Sequence, residues 1–345
     1  MLDVAIVGAG LSGLICAQQL RQTGYQVAVI EKSRGLGGRI ATRRLSDACA
    51  DHGVRYFDRQ GDRTAALIQV LRDRGLLQPW IDTEYTLNGE LQPTAPQPRY
   101  IAPTGMTAIA KALATGLDIH RSLRVVGLTA TSTWRLTCEP AATVDAKAIV
   151  LAIPAPQATV LLESIHALPV DLLNAVQKVE FDSCLTVIAT YSTQHQVAVV
   201  PWQAITVAND DFAWLGIDSS KRSIAPAPVV VLHSSAEFAD RHFEADDLEP
   251  VGKHLLDRAA HLLPWLNTPE TMQVHRWRYA FVRQPCPEAA LVTTTPLPLV
   301  CCGDWCGGTN LEAALESGAA AAAAIDQQLN SRSPTLDIAT LLDRL

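Results

Sequence analysis

The sequence predicts an α/β protein of two domains, one built on a parallel sheet and a smaller one on a mixed or antiparallel sheet with helices. Three observations carry the prediction. The first residues run strand, glycine turn, helix, strand, the opening of a βαβ unit. Another short apolar run, Leu299–Gly303, leads through a glycine-rich turn into a helical stretch near the far end. Between the two lie the apolar runs Val187–Tyr191, Ala213–Ile217 and Val229–His233, which suit a separate sheet. A chain of 345 residues exceeds the usual size of one hydrophobic core. With 48% hydrophobic and 18% charged residues it has the apolar content to fold, which excludes a disordered chain.

Each element has a local reason. Val4–Val7 is a continuous apolar run, as a strand buried on both faces requires. Gly8–Gly13 is the turn, Leu14–Arg21 the helix and Gly24 its C-terminal stop. Tyr25–Ile30 is the second strand, closed by Glu31. Thr64–Gly75 sets Leu67, Ile68 and Leu71 on one helical face, and Thr107–Thr115 is a further helix. The proline-rich stretch 87–103 reads as irregular or hairpin-like. Leu123–Leu128 and Trp134–Glu139 are strands joined by a turn, and Ala148–Ile153 is a third, stopped by Pro154 and Pro156. Leu248–Leu263 is an amphipathic helix ending at Pro264. Leu311–Leu329 is a long helix crowded with alanine, and 330–345 a loosely attached tail with a short terminal helix.

The chemistry starts in the first turn, Gly8-Ala9-Gly10-Leu11-Ser12-Gly13. Gly8 permits the tight exit from the strand, Gly10 lets the backbone approach a pyrophosphate, and Gly13 lets helix and sheet pack closely. The pyrophosphate sits at the helix N-terminus, where free N–H groups and the helix dipole favour negative charge. Glu31 stands at the distance and strand end where an acid takes ribose hydroxyls. This Rossmann-like fingerprint leaves NAD and FAD open. The next segment, Lys32 to Arg39, brings Gly35, Gly37 and Gly38 for a second close approach to phosphate and the guanidinium fork of Arg39. A second phosphate loop suits a long cofactor lying extended through the protein.

Several further segments carry a resemblance. They are Gly38-Arg39-Ile40-Ala41-Thr42-Arg43-Arg44, Asp51-His52-Gly53-Val54-Arg55-Tyr56-Phe57, Pro103-Thr104-Gly105-Met106-Thr107-Ala108-Ile109, His275-Arg276-Trp277-Arg278-Tyr279-Ala280 and Cys302-Gly303-Asp304-Trp305-Cys306. Together with the opening run they resemble the flavin (FAD-dependent) amine oxidase superfamily, and within it the renalase-like members. The resemblance implies FAD held without a covalent link, in a domain made from 1–60, 100–156 and 284–345, with 61–99 and 157–283 forming the substrate-binding domain. It puts Ala41, Thr42, His52, Gly53, Val125, Gly303, Asp304, Asn310, Leu311 and Glu312 at the cofactor, beside the glycine loops, Glu31, Lys32 and Arg39. Asp304 is expected at the ribityl or pyrophosphate region and the alanine-rich helix at the flavin's pyrimidine edge, its positive end stabilising reduced flavin. His52, His233, Trp277, Arg278 and Tyr279 are the catalytic candidates; an ordinary core histidine and an interfacial strand are the plain alternatives.

The resemblance further implies an oxidase that takes hydride from dihydronicotinamide dinucleotides, the 2- or 6-dihydro isomers of NAD(P) and possibly NAD(P)H itself, and gives H₂O₂ from O₂. An amine oxidase is the alternative reaction, and a flavin-binding regulatory module the alternative of another class. Arg278, if it lines the cavity, disfavours a cationic amine. Cys306 does not sit in an attachment motif for covalent flavin. The formal charge of −7 argues against nucleic acid and anionic membrane as partners. Eight cysteines, three of them at 301, 302 and 306, lack the second pair that a zinc site needs, so no metal is expected. No leader pattern opens the chain and no apolar run is long enough to span a bilayer, which makes a cytoplasmic protein the expectation.

Overall fold

The computed structural model describes residues 1–195, 200–208, 210–222 and 227–330, so most of the expected tail lies outside the described residues. β1 (Leu2–Val7) turns at Gly8 into α1 (Leu11–Gln22), which ends at Thr23 and the left-handed Gly24 before β2 (Val27–Glu31). A glycine loop leads to the hairpin β3 (Thr42–Arg44) and β4 (Cys49–Asp51), then α2 (Asp62–Asp73). The proline-rich stretch resolves into short strands, β5 (Gln78–Ile81), the hairpin β6 (Tyr85–Asn88) and β7 (Glu90–Pro93), and β8 (Arg99–Ile101). Next come α3 (Thr107–Leu113), β9 (Asp118–Arg121), β10 (Arg124–Ala130), β11 (Trp134–Glu139), β12 (Ala142–Leu151), α4 (Ala155–Leu162) and α5 (Val170–Gln177). The second lobe adds β13 (Glu180–Thr190), β14 (Ala204–Val207), β15 (Phe212–Ile217), β16 (Val229–Ser234), α6 (Ala236–His242), α7 (Glu249–Ala259) and β17 (Thr271–Gln284). The chain then returns through β18 (Leu291–Thr293), β19 (Leu299–Cys301) and α8 (Leu311–Leu329).

Two sheets organise these elements. In the first, β12, β1, β2 and β9 run parallel, with Val4 opposite both Ala148 and Val27. Besides β1, β12 is long enough to serve two further partners: its first half pairs antiparallel with β11, its second half parallel with β19. Alternate residues of β1 feed opposite cores. Val4 and Ile6 pack with α1, α3 and α8, while Ala5 and Val7 pack with β10–β12, α4 and α5. α8 lies so close to α1 that a Cβ on Gly318 would stand 2.5 Å from the Ser12 carbonyl oxygen, which gives the small residues of α8 a packing reason beyond helix propensity.

The second sheet runs β17-β13-β16-β15-β14-β6-β7. Leu185, Val187, Leu215, Val230 and Leu232 point to one side, into a core closed by α6 and α7. The other side faces the first lobe.

Packing shifts the lobe boundary from the sequence expectation in two places. Leu67, Ile68 and Leu71 of α2 enter the first lobe's core, because the amphipathic face of α2 finds α8 there. Leu161, Leu162, Leu172 and Val176 of α4 and α5 cover the other face of the first sheet. Residues 61–73 and 157–177 therefore pack with the FAD-side lobe, not with the second sheet.

Candidate active site

The first turn has the shape that its glycines imply. Gly8 has φ of 107°, and a Cβ there would stand 2.4 Å from the Ala152 carbonyl oxygen at the end of β12. On Gly13 it would meet the Gly8 oxygen at 2.2 Å, so α1 can start only against a bare backbone. Gly10 differs: a Cβ there would touch nothing within 4 Å. It caps α1 without a side-chain hydrogen bond, so the turn holds an open cradle at a positive helix end. Ala9 N donates to Glu31 Oε2 at 2.8 Å and Ser33 N to Glu31 Oε1 at 2.7 Å, which pins the carboxylate at the end of β2. Gly37 N donates to the Ala9 oxygen, and Gly38 lies beside the Gly10 Cα. The two glycine loops are thus one surface, into which a dinucleotide pyrophosphate fits. Leu11 and Ser12 are buried in the first turn of α1, and Val125 packs with Val7 and Ile30 near the ends of β1 and β2. Lys32 departs from expectation: its ammonium reaches Gln157 at the surface.

The C-terminal motif closes the cradle from another side. Arg39 pairs with Asp304 at 2.6 Å and donates to the Ala280 oxygen at 3.2 Å, tying the second glycine loop to β17 and to the residues after β19. Gly303 N donates to Ser317 Oγ inside α8. Ala41 accepts from His52 N, and Thr42 Oγ1 donates to Asp51. Asn310 Oδ1 caps α8 by accepting from Ala313 N, while Leu311 N donates to Gln60. Glu312 corrects the expectation for this helix. Its carboxylate accepts from Arg63 N and Thr64 N, capping α2, because the first amides of a buried helix need acceptors. The side chain of Glu312 therefore serves as the cap of α2.

The second sheet brings the catalytic candidates together, with one exception. In register across four strands lie His275, Thr186, His233 and Trp214, all on the face toward the first lobe. Trp277 and Tyr279 continue that face on β17, and Trp277 Nε1 donates to the His52 oxygen at 2.9 Å. The His52 ring stands 4.8 Å from His275 and 5.3 Å from Trp277 between centroids. Gly53 lies under the same indole, with no room for a side chain against the Arg39 oxygen. Arg278 is the exception. Neighbouring residues of a strand point to opposite faces, and Arg278 turns to the α6 side, where it pairs with exposed Glu244 and lies over Phe243. The objection to an amine substrate that rested on Arg278 falls away.

Burial sets the charge of this face. It holds His52 down at about 4, with His275 and Arg43 adding to the effect. It lowers His275 as well, again aided by Arg43, and lowers His233 further, with Arg55 and Lys221 contributing. The imidazoles are neutral at ordinary pH. His52 Nδ1 and His233 Nε2 are buried without a hydrogen-bond partner. Below them, Lys221 bridges Asp51 at 3.4 Å and Asp218 at 2.7 Å, and Arg222 pairs with both acids, so the two lobes meet on two cations and two carboxylates. Glu84 is taken up by Tyr56, Trp214 and Arg99.

Arg55 was not among the sequence candidates. Its Nε donates to His233 Nδ1 at 3.2 Å and its guanidinium carbon lies 4.7 Å from the Trp214 ring centroid. The signal was available: a lone cation inside Gly53-Val54-Arg55-Tyr56-Phe57, a segment otherwise apolar and aromatic.

Comparison with known proteins agrees with this geometry. Residues 6–73 match the NAD(P)-binding Rossmann-like domain, and residues 89–326, more than half of the chain, match the flavin containing amine oxidoreductase family. The fold and its dinucleotide cradle therefore belong to an FAD-dependent oxidoreductase. The chain is a member of the flavin containing amine oxidoreductase family. An L-amino acid dehydrogenase of Synechocystis sp. is 43% identical over 67 residues, which are 19% of this chain and 14% of that protein. The curated relatives are matched over 15% or less of their own length. Putrescine oxidase superposes with a TM-score of 0.73 at 18% identity, over 94% of this chain and 99% of its own. Cyclohexylamine oxidase from Brevibacterium oxydans gives 0.74 at 14%, over 95% and 99%. At these identities the structures show a shared fold.

Proposed function

We propose that the protein is an FAD-dependent oxidase of dihydronicotinamide dinucleotides, acting on 2- or 6-dihydro isomers of NAD(P). The observation that carries the reading is the neutral aromatic face of His52, His275, Trp277 and Trp214, with a guanidinium at its edge and with Asp51 and Glu84 both engaged by protein groups. When bound, FAD supplies the electron sink, taking a hydride from the donor and passing two electrons to O₂ to give H₂O₂. The chain does the rest. The glycine loops and Glu31 hold the dinucleotide, and the sheet face stacks the donor ring and keeps water out. No residue need remove a proton, since the ring nitrogen's lone pair drives hydride loss. Neutral imidazoles suit that task, for they add no charge beside a ring that becomes cationic.

The cofactor is bound without a thioether in this reading. Cys306 is buried beside Cys286 and the Cys301 oxygen, and burial pushes its thiol far up, away from the reactive thiolate. Acid precipitation is expected to release all flavin into the supernatant; a yellow pellet overturns this. An amine oxidase is the second reading, favoured by the outward turn of Arg278. Anaerobic stopped-flow mixing with 6-dihydroNAD, NADH and primary amines separates the two. Fast bleaching of the flavin by the 6-dihydro isomer, with slow or no bleaching by amines, is the expected result. Fast bleaching by an amine transfers the proposal to the second reading.

A further inference from the structure

Arg55 is out of balance with its surroundings. The other buried or half-buried cations at the lobe junction each have an acid: Lys221 and Arg222 share Asp51 and Asp218, and Arg99 has Glu84. Arg55 has none among the described residues. Its only side-chain hydrogen bond there is from Nε to His233 Nδ1, and its two terminal nitrogens make none. Trp214 and Phe281 flank the guanidinium, at 4.7 and 5.9 Å from ring centroid to carbon. Such flanking fixes the plane of the group and leaves its outer edge free. Burial lowers its pKa, and Tyr56, Glu84 and Cys184 offset this only in part, none of them by a direct ion pair.

The neighbours share the deficit. Because His233 Nδ1 accepts from Arg55, the neutral ring carries its proton on Nε2, and that buried donor makes no full hydrogen bond, with only the His52 backbone within its reach. The guanidinium's two terminal nitrogens, beside an imidazole N–H that is weakly held, therefore present donors that the protein does not satisfy. Arg55 is half-buried, so these donors are held by the protein yet open to a ligand that would fill them. Phe281, 46% exposed, is one of the few large apolar side chains left open and lies at the rim of the same place.

We propose that Arg55, backed by His233, is the anchor for an anionic oxygen group of the hydride donor and so decides which donors the enzyme accepts. The chemistry it recognises is an oxyanion, either phosphate or carboxylate. The proposal deepens the reading above, on which it rests for the location of the donor, by adding a requirement for negative charge at a distance from the reacting ring. Arg55 would act on binding and not on the hydride step.

The test uses holoenzyme with its flavin in place. Wild type, Arg55→Lys and Arg55→Met are titrated with sodium pyrophosphate and, separately, with benzoate, reading the shift of the flavin's visible band. Arg55→Met is expected to bind the preferred anion about 10- to 100-fold more weakly, the loss of a charge-assisted contact, with Arg55→Lys in between. Preference for pyrophosphate names phosphate as the source of the charge, and preference for benzoate names carboxylate. Anaerobic reduction by 6-dihydroNAD is then compared with reduction by uncharged 6-dihydronicotinamide riboside. The methionine variant is expected to raise the half-saturating dinucleotide concentration by a like factor, leave its limiting rate within a few-fold, and leave the riboside unchanged. Equal anion binding by variant and wild type, an equal loss for dinucleotide and riboside, or purification of the variant without FAD would each overturn the proposal. If no dihydronicotinamide reduces the wild-type flavin, the functional reading fails while the anion titrations still decide the role of Arg55.

Discussion

Three imidazoles, two on a face of the second sheet and His52 packed against it, are kept neutral by burial, and this ties stability to pH. The folded-state pKa of His52, about 4, lies below its ordinary value of 6.5. Between those values the unfolded chain binds more protons than the folded one, so stability rises with pH through the window. The contribution is complete above pH 6.5 and lost as pH falls through about 4. For His52 alone the difference is roughly 3 kcal/mol, and His275 and His233 act in the same direction. Urea midpoints measured from pH 4 to 7 are expected to climb steadily, and His52→Gln to flatten the climb. A curve of the same slope in the variant refutes this account. At the same scale, Arg278→Ala is expected to change reduction by the preferred donor less than two-fold, because the side chain serves the α6 side. Residues set by local geometry were legible from sequence: Gly8, Gly10, Gly13 and Glu31 fall where the turn and strand end require them. Arg55 was not, because its meaning comes from Trp214 and His233, which lie over 150 residues away.

Elements assign separate tasks to glycines of one motif. Gly13→Ala drives a methyl into the Gly8 carbonyl and is expected to destabilise apo and holo protein alike, by about 1–3 kcal/mol in thermal or urea unfolding. Gly10→Ala meets open space, so apo stability is expected to hold while FAD affinity falls, read by flavin retained on dialysis. Equal effects of the two changes on apo stability would show that the cradle is not open. The strands most legible from sequence were the continuous apolar runs buried on both faces, such as β1 and β2. The alternation of β17 also implied that Trp277 and Arg278 diverge, but the register that says which face meets the first lobe is a property of the whole sheet. The boundary at α2, α4 and α5 was hidden for a similar reason. An amphipathic helix declares that it has a buried face, not which core receives it.

On the scale of the molecule, the lobes are joined through charges that balance only together. Asp51 comes from the hairpin beside the cradle; Asp218, Lys221 and Arg222 follow β15 in the second lobe. Lys221→Met leaves two buried carboxylates sharing the single cation Arg222 and is expected to cost about 3–5 kcal/mol, measured by urea unfolding. Adding Asp51→Asn is expected to recover part of the loss, since the second change removes a charge that the first left stranded. Additive losses would mean that the groups act independently. The cradle has a different kind of unity. Its first loop follows β1, and the helix that backs it, α8, is the last described element of the chain. A polypeptide emerging from the ribosome would expose the phosphate turn long before Asp304, Ser317 and the packing of α8 against α1 had been made. Yellow colour would then report that synthesis had passed α8, and chains interrupted before it would be left as colourless, unliganded substrates for proteolysis.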